Sequence, residues 1–230
     1  KMHQLIDKKK KIYFYVLFLL FLSSISNLKL NTYKENILNV KKIDIKGLSE
    51  SLNNEINQSL NYLINKNIFL IDKNRIVKIL DQYKYLDSYI ISKKLPSNLE
   101  INLKITTPVA ITIKNGEKQF LGNNGKFISK NIFKNVKPLP NIFGNFNPKD
   151  FFIFIEQLKN NDFDIEQINE YYFFYNGRWD VKYINGTIIK FPKNNLPKSI
   201  KIAKKIMDDQ NEKKRIIDLR VPNQVIVSND

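Results

Sequence analysis

The chain has 230 residues, 43% of them hydrophobic, and its 38 Lys and Arg outnumber 22 Asp and Glu, giving a formal net charge of +16. A chain of this length can bury one large core or two modest ones, so it does not depend on disulfides or metals for stability. It contains no cysteine and one histidine, which excludes thiolate catalysis, cysteine-bound metal sites and histidine-dependent catalytic triads. We therefore expect no cofactor and no familiar hydrolase chemistry.

The excess positive charge is spread along the chain. Apart from the run Lys8 to Lys11, the lysines are scattered among Asn, Asp and Ile. Clustered basic residues favour nucleic-acid binding because they exchange counterions with phosphate, whereas scattered ones are typical of a solvated basic surface. The glycines near Gly122 also depart from the phosphate-loop pattern. The sequence thus predicts neither a nucleic-acid partner nor a small-molecule substrate.

An uncharged apolar stretch follows the basic start of the chain. As a helix, residues 12–28 would be about 25 Å long, close to the thickness of a bilayer core of about 30 Å. We predict a basic cytoplasmic tail at 1–11, one transmembrane helix at 12–28 and a linker at 29–38, with the lysines favouring a cytoplasmic N-terminus. A cleaved signal peptide fits the same pattern. Both alternatives export the remainder of the chain.

Residues 39–108 predict a first α+β domain. The alternation at Ile43 and Ile45 before Gly47 indicates a strand and a turn, and apolar residues at helical spacing indicate two helices, the second after an N-cap at Asp72. Two further strands follow, one of them the strict alternation from Leu99 to Ile105. The predicted order is β-α-α-β-β, which is typical of a binding module.

Residues 109–230 predict an antiparallel β-rich domain with two helices. Four of the seven glycines follow asparagine, a pair that favours two-residue hairpin turns. One helix begins at Asn147-Pro148, an N-cap followed by a first-turn proline, and the second runs through Ile200 and Ala203. Trp179 lies in a predicted strand, where its expected role is to anchor the core.

The C-terminal segment predicts an edge strand. Ile217, Leu219 and Val221 alternate with polar residues, Pro222 interrupts the pattern, and residues 224–227 resume it. Proline within a sheet is confined mainly to edge strands, whose unpaired backbone groups can accept a partner strand. A bare terminal strand that proline merely blunts fits the same residues.

Several motifs, taken in chain order, resemble the FtsQ/DivIB family of bacterial cell-division proteins. The first domain resembles a POTRA domain, with Ile43–Gly47, Ile68–Asp72 and the segment from Leu95-Pro96 to Pro108-Val-Ala110 at its marked positions. The second domain carries Arg178-Trp-Asp-Val181 and Ile217-Asp-Leu-Arg-Val-Pro222 in the family's order and spacing. Individually these motifs are weak, and the last two together are the most specific combination.

The resemblance implies a non-enzymatic bitopic scaffold of the inner membrane at the division septum. Such a protein exposes its domains to the periplasm, binds FtsB and FtsL, and helps to control septal peptidoglycan synthesis. Carried across to this chain, the family's terminal partner strand gives these partner-binding residues: Arg178, Arg220, Val221, Asn223, Gln224, Val225, Ile226 and Val227. An aromatic residue follows the Leu-Arg pair in some relatives but not here. The alternative is a POTRA-containing export or outer-membrane assembly factor.

Overall fold

The computed structural model describes residues 8–27, 37–208, 215–221 and 224–229. These residues form two compact units. The first contains the described residues up to Leu80 together with Tyr89–Leu103, and the second contains Asp81–Ser88 and the described residues from Lys104 onward. Residues 1–7 of the predicted tail at 1–11, most of the predicted linker and the predicted site residue Asn223 lie outside the described ranges.

Helix α1 spans Lys8–Asn27 and contains most of the predicted transmembrane segment. Its apolar side chains between Ile12 and Leu22 are exposed. Within the ranges given above, no helix combines the length and the apolar character needed to cross a membrane. The predicted transmembrane helix over residues 12–28 is therefore not confirmed.

The first unit has the β-α-α-β-β order that the sequence predicts. Its elements are β1 (Lys42–Lys46), α2 (Glu50–Leu60), α3 (Lys73–Leu80) and the greater parts of β2 (Leu86–Lys94) and β3 (Asn98–Ile105). The strands form a sheet in the order β1-β3-β2, and β1 runs parallel to β3. Both helices are short, so packing of their apolar faces contributes most of their stability.

Local sequence signals account for where α3 begins and for what the first unit buries. Asp72 precedes α3, and its Oδ1 accepts a hydrogen bond from the Asn74 amide at 2.8 Å, as expected of an N-cap. Ile56 of α2 and Ile76 of α3 are fully buried, as are Leu99 and Ile101 of β3. The alternation in β3 therefore directs one face of that strand into the core.

Nine strands, counted over the described part of the chain, form one sheet in the second unit. Its order is β12-β11-β10-β9-β8-β7-β4-β5-β6. The strands are β4 (Pro108–Lys114), β5 (Glu117–Gly122), β6 (Phe127–Ser129), β7 (Asn141–Phe143), β8 (Ile168–Phe173), β9 (Trp179–Tyr183), β10 (Ile188–Lys190), β11 (Arg215–Asp218) and β12 (Ile226–Asn229).

The prediction of an antiparallel sheet is wrong for part of this unit. β4 and β7, β7 and β8, and β10 and β11 pair in parallel. Helix α4 (Pro148–Lys159) connects β7 to β8, and helix α5 (Leu196–Asp208) lies between β10 and β11. A helical crossover returns the chain to the same end of the sheet, so the strands on either side of it run parallel.

One hydrophobic core joins α4 and α5 to the sheet. Phe154 of α4 stacks on Trp179 with 5.3 Å between ring centroids, and Phe151 lies edge-on to Tyr171. Ile200 and Ala203 of α5 are fully buried in the same cluster. Trp179 is 4% exposed, so its predicted role as a core anchor is confirmed.

Candidate partner-binding edge and groove

β12 is the last strand of the nine-stranded sheet. It pairs antiparallel with β11, so that Ile217 lies opposite Val227 and Asp218 lies opposite Ile226. Over the residues that the structure describes, β11 is the strand hydrogen-bonded to β12, and the other side of β12 forms the sheet edge. An edge of this kind presents backbone N–H and C=O groups that a further strand can pair with.

Apolar side chains surround this edge. Val225, Ile226 and Val227 are 43%, 51% and 48% exposed, respectively. Ile217, which lies opposite Val227, is fully buried in the core. Exposed apolar residues on an edge strand are unfavourable in an isolated protein, and they are typical of a surface that another chain covers.

The connection after β11 is ordered by an ion pair. The Arg220 backbone N–H donates to Asp218 Oδ1 at 3.0 Å, and Arg220 Nε donates to the two oxygens of the same carboxylate at 2.8 Å and 3.0 Å. These hydrogen bonds from Arg220 lower the pKa of Asp218 below its ordinary value. They fix the turn that separates β11 from the segment leading to β12.

Arg178, directly before β9, is held in a similar way. Its Nε donates to Asp180 Oδ1 at 3.3 Å, and its guanidinium lies 3.8 Å from the centre of the Phe174 ring. Burial raises the pKa of Asp180, while the nearby charges of Arg178 and Arg220 act in the opposite direction. Asp180 and Asp218 each lie opposite Lys190 in the sheet, so the two arginine-carboxylate pairs flank one lysine.

A groove of about 580 Å³ joins the two arginines to the segment before β12. It is lined by Arg178, Arg220, Val221, Gln224 and Val225 together with residues at the start of α5, among them Lys193 and Lys198. Each arginine has a carboxylate partner, whereas the described part of the chain places no carboxylate within ion-pair distance of either lysine. The groove therefore carries net positive charge beside the sheet edge.

The structure brings most of the predicted site residues together. The groove collects Arg178, Arg220, Val221, Gln224 and Val225, while Ile226 and Val227 lie in β12 itself. The extended pattern is interrupted, as the sequence predicts, but the first strand ends earlier than the alternation through Val221 indicated: β11 ends at Asp218, and β12 begins at Ile226. The reason is the Asp218 side chain, which captures the Arg220 N–H and turns the chain.

Sequence reasoning missed the lysines of the groove. Lys193 and Lys198 stand in a chain rich in lysine, so residue type alone does not distinguish them. The available signal was their position: both stand close to the start of α5, one on each side of it. An amphipathic helix that buries Ile200 and Ala203 leaves its first turn at the surface, beside the end of the preceding strand.

Two segments of the chain match family models. Residues 38–104 match the POTRA domain, FtsQ-type, and residues 110–220 match the C-terminal domain of the cell division protein FtsQ/DivIB. A comparison with individually curated proteins finds no match. The two domains, in this order, define a cell-division protein. The chain belongs to the FtsQ/DivIB family, as its sequence motifs predict.

Proposed function

We propose that this chain is a non-catalytic scaffold of the division machinery that binds FtsB- and FtsL-like proteins along β12. The observation that carries the proposal is the sheet edge itself: β12 exposes Ile226 and Val227 and, among the described strands, pairs with β11 alone. A partner strand added to this edge gains main-chain hydrogen bonds and covers the apolar side chains. The groove beside the edge then selects the partner according to the partner's side chains.

The charge of the groove supports an acidic partner segment. Lys193 and Lys198 line the groove, and the described residues give neither of them a carboxylate partner. Arg178 and Arg220 also line it, but they are paired with Asp180 and Asp218, respectively. Complementary charge raises the rate of association and fixes the register of the added strand. We expect the FtsB-like segment to carry Asp or Glu where it passes the start of α5.

We place the protein at the membrane of the division site, where it helps to control septal peptidoglycan synthesis. Family membership supports this location. The N-terminus in the cytoplasm and the two domains in the periplasm remain predictions from the sequence. A fluorescent fusion that concentrates at midcell supports the location, and a uniform distribution contradicts it. Alkaline phosphatase fused after Asp230 reports the topology, since it is active only outside the cytoplasm.

The binding proposal is tested by changing the edge and its turn together. The variant Val225→Pro with Arg220→Glu removes a backbone N–H next to β12 and releases the turn held by Asp218. We expect the affinity of the full chain for the extracytoplasmic part of the FtsB-like protein to fall about 10- to 100-fold. The measurement is a titration by surface plasmon resonance or calorimetry.

The matched control lies at the other edge of the same sheet. Lys126→Glu with Lys130→Pro introduces the same two residue types next to β6, with proline at the first position of a single 3-10 turn where it is well tolerated. We expect this variant to bind the partner as the unchanged chain does. Unchanged affinity in the β12 variant would show that the partner binds elsewhere.

A further inference from the structure

The second unit contains four Asn-Gly pairs, and one of them differs from the others in its hydrogen bonds. The pairs are Asn115-Gly116, Asn124-Gly125, Asn176-Gly177 and Asn185-Gly186. Asn-Gly is the dipeptide most open to spontaneous deamidation, because glycine offers no side chain to hinder attack by its own amide nitrogen. The environment of each pair decides whether that attack can proceed.

Three of the pairs have their asparagine side chains engaged. Asn124 Nδ2 donates to the carbonyls of Lys84 and Leu86 at 3.0 Å and 2.8 Å, and its Oδ1 accepts from the Lys126 amide at 3.0 Å. Asn176 Oδ1 accepts from the Arg178 amide at 3.3 Å. Asn185 Oδ1 accepts from the Thr187 amide at 2.9 Å. Rotation of these side chains towards the following nitrogen would break the hydrogen bonds.

The same three pairs also have their glycine N–H groups engaged. Gly125 donates to the Gly122 carbonyl at 2.9 Å, Gly177 to the Phe174 carbonyl at 2.8 Å, and Gly186 to the Tyr183 carbonyl at 2.9 Å. Deamidation requires that this nitrogen lose its proton and attack the side-chain carbonyl. A hydrogen-bonded N–H must first open, so local opening adds to the barrier.

Asn115 and Gly116 lack all of these restraints. They form the two-residue tip of the β4–β5 hairpin, where Lys114 pairs with Glu117 and both tip residues have positive φ, 54° and 78°. Within the described ranges, the Asn115 side chain makes no hydrogen bond, and the Gly116 N–H has no backbone acceptor. Nothing lies within 4 Å of the position that a Cβ on Gly116 would take.

We propose that Asn115 is a site of spontaneous deamidation and that the other three Asn-Gly asparagines are protected by the fold. The Gly116 nitrogen attacks Asn115 Cγ, a C–N bond forms, and the bond from Cγ to the amide nitrogen breaks. The proton from Gly116 leaves with that nitrogen as ammonia, producing a cyclic succinimide. Water then opens the ring at either carbonyl, giving aspartate or isoaspartate at the tip of the β4–β5 hairpin.

The proposal is independent of partner binding and is tested on the folded full chain. The purified chain is kept in warm neutral buffer and sampled over days, and deamidation at each Asn-Gly pair is followed by peptide mapping and mass spectrometry. We expect Asn115 to deamidate at least about tenfold faster than Asn124, the ratio that a barrier difference of about 1.4 kcal/mol produces. Comparable rates at the two sites would overturn the proposal.

Two controls separate structure from sequence. In urea all four pairs lose their hydrogen bonds, so their rates should converge; a lead for Asn115 that persists in urea would overturn the role assigned to the fold. Asn115→Gln lengthens the side chain and prevents the five-membered ring, so the rapid modification should disappear while the other three sites stay unchanged. If a rapid product persists in this variant, Asn115 is not its source.

Discussion

The two edges of the nine-stranded sheet differ in how the chain finishes them. At the β6 edge, Ile128 is 2% exposed, Lys114 Nζ lies 4.0 Å from the centre of the Phe127 ring, and Phe133 packs edge-on against Phe120. At the β12 edge, the side chains of Ile226 and Val227 are about half exposed. The apolar side chains at the β6 edge thus pack against other residues of the chain, whereas those at the β12 edge are left exposed to a partner.

Two edges of the same sheet can therefore differ in whether they are suited to bind a partner. Both edges belong to one sheet and one unit, and an isolated protein benefits when both are protected against pairing with other chains. A chain that packs its apolar side chains at one edge and exposes them at the other is best understood as one part of a complex. Substitutions at the two edges can test that difference.

Removing a buried side chain beneath each edge gives the largest effect. Ile217→Ala in β11, which pairs with β12, and Ile128→Ala in β6 each leave a cavity, since these side chains are 0% and 2% exposed. We expect each to lower the free energy of unfolding by about 2–4 kcal/mol, measured by urea denaturation. Only Ile217→Ala should also weaken partner binding, because Ile217 lies opposite Val227. Equal loss of binding in both variants would contradict the comparison.

Reversing one charge in the groove gives an intermediate effect. Lys198→Glu places a carboxylate in the groove, and we expect the partner's affinity to fall about five- to tenfold, mainly through slower association and less so at high salt. Lys149→Glu is the matched control, since both lysines are exposed in the first turn of a helix and Lys149 lies beside the β5–β6 connection. An equal loss in both variants would show that general charge, not the groove, governs binding.

Loosening the turn before β12 gives the smallest effect. Arg220→Gln removes the ion pair that lowers the pKa of Asp218, so the Asp218 pKa should return towards its ordinary value in a carbon-13 NMR titration. A lowered folded-state pKa contributes stability at pH values above the unfolded-state pKa, and that stability is lost as the pH falls through the folded-state pKa. The Arg220 side chain is 40% exposed, so the loss at neutral pH should stay below about 1 kcal/mol.

The pH dependence provides the check on that last prediction. The stability difference between Arg220→Gln and the unchanged chain should shrink as the solution is acidified and vanish once Asp218 is protonated in both. A difference that stays constant down to strongly acidic pH would mean that Arg220 acts by packing and not through the Asp218 carboxylate.

Local signals in the sequence predicted much of this fold. Asn147 caps α4 by accepting from the Lys149 amide at 2.9 Å, and Pro148 follows it, as the Asn-Pro pair indicated. Asp72 precedes α3 in the same manner, and the alternation from Leu99 to Ile105 gives β3 its buried face. Each of these features depends on residues that are close together in the sequence.

What the sequence did not show depends on distant contacts. The parallel pairing of β10 with β11 follows from the return path through α5, which no local pattern records. Of the four Asn-Gly pairs, only Asn115-Gly116 has positive φ at both residues, because the others lie in longer connections. The groove required Arg178, directly before β9, and Lys198, in α5, to line the same site.

The most direct test of the central claim uses the absence of native cysteine. Ser228→Cys in β12 and Ser129→Cys in β6 place one exposed thiol at each edge, and both serines stand in edge strands. Each variant is oxidised with an FtsB-like partner carrying single cysteines scanned along its extracytoplasmic segment. We predict a disulfide-linked complex with a sharp register preference for Ser228→Cys and none for Ser129→Cys. Cross-linking at Ser129→Cys, or at neither edge, would contradict the account.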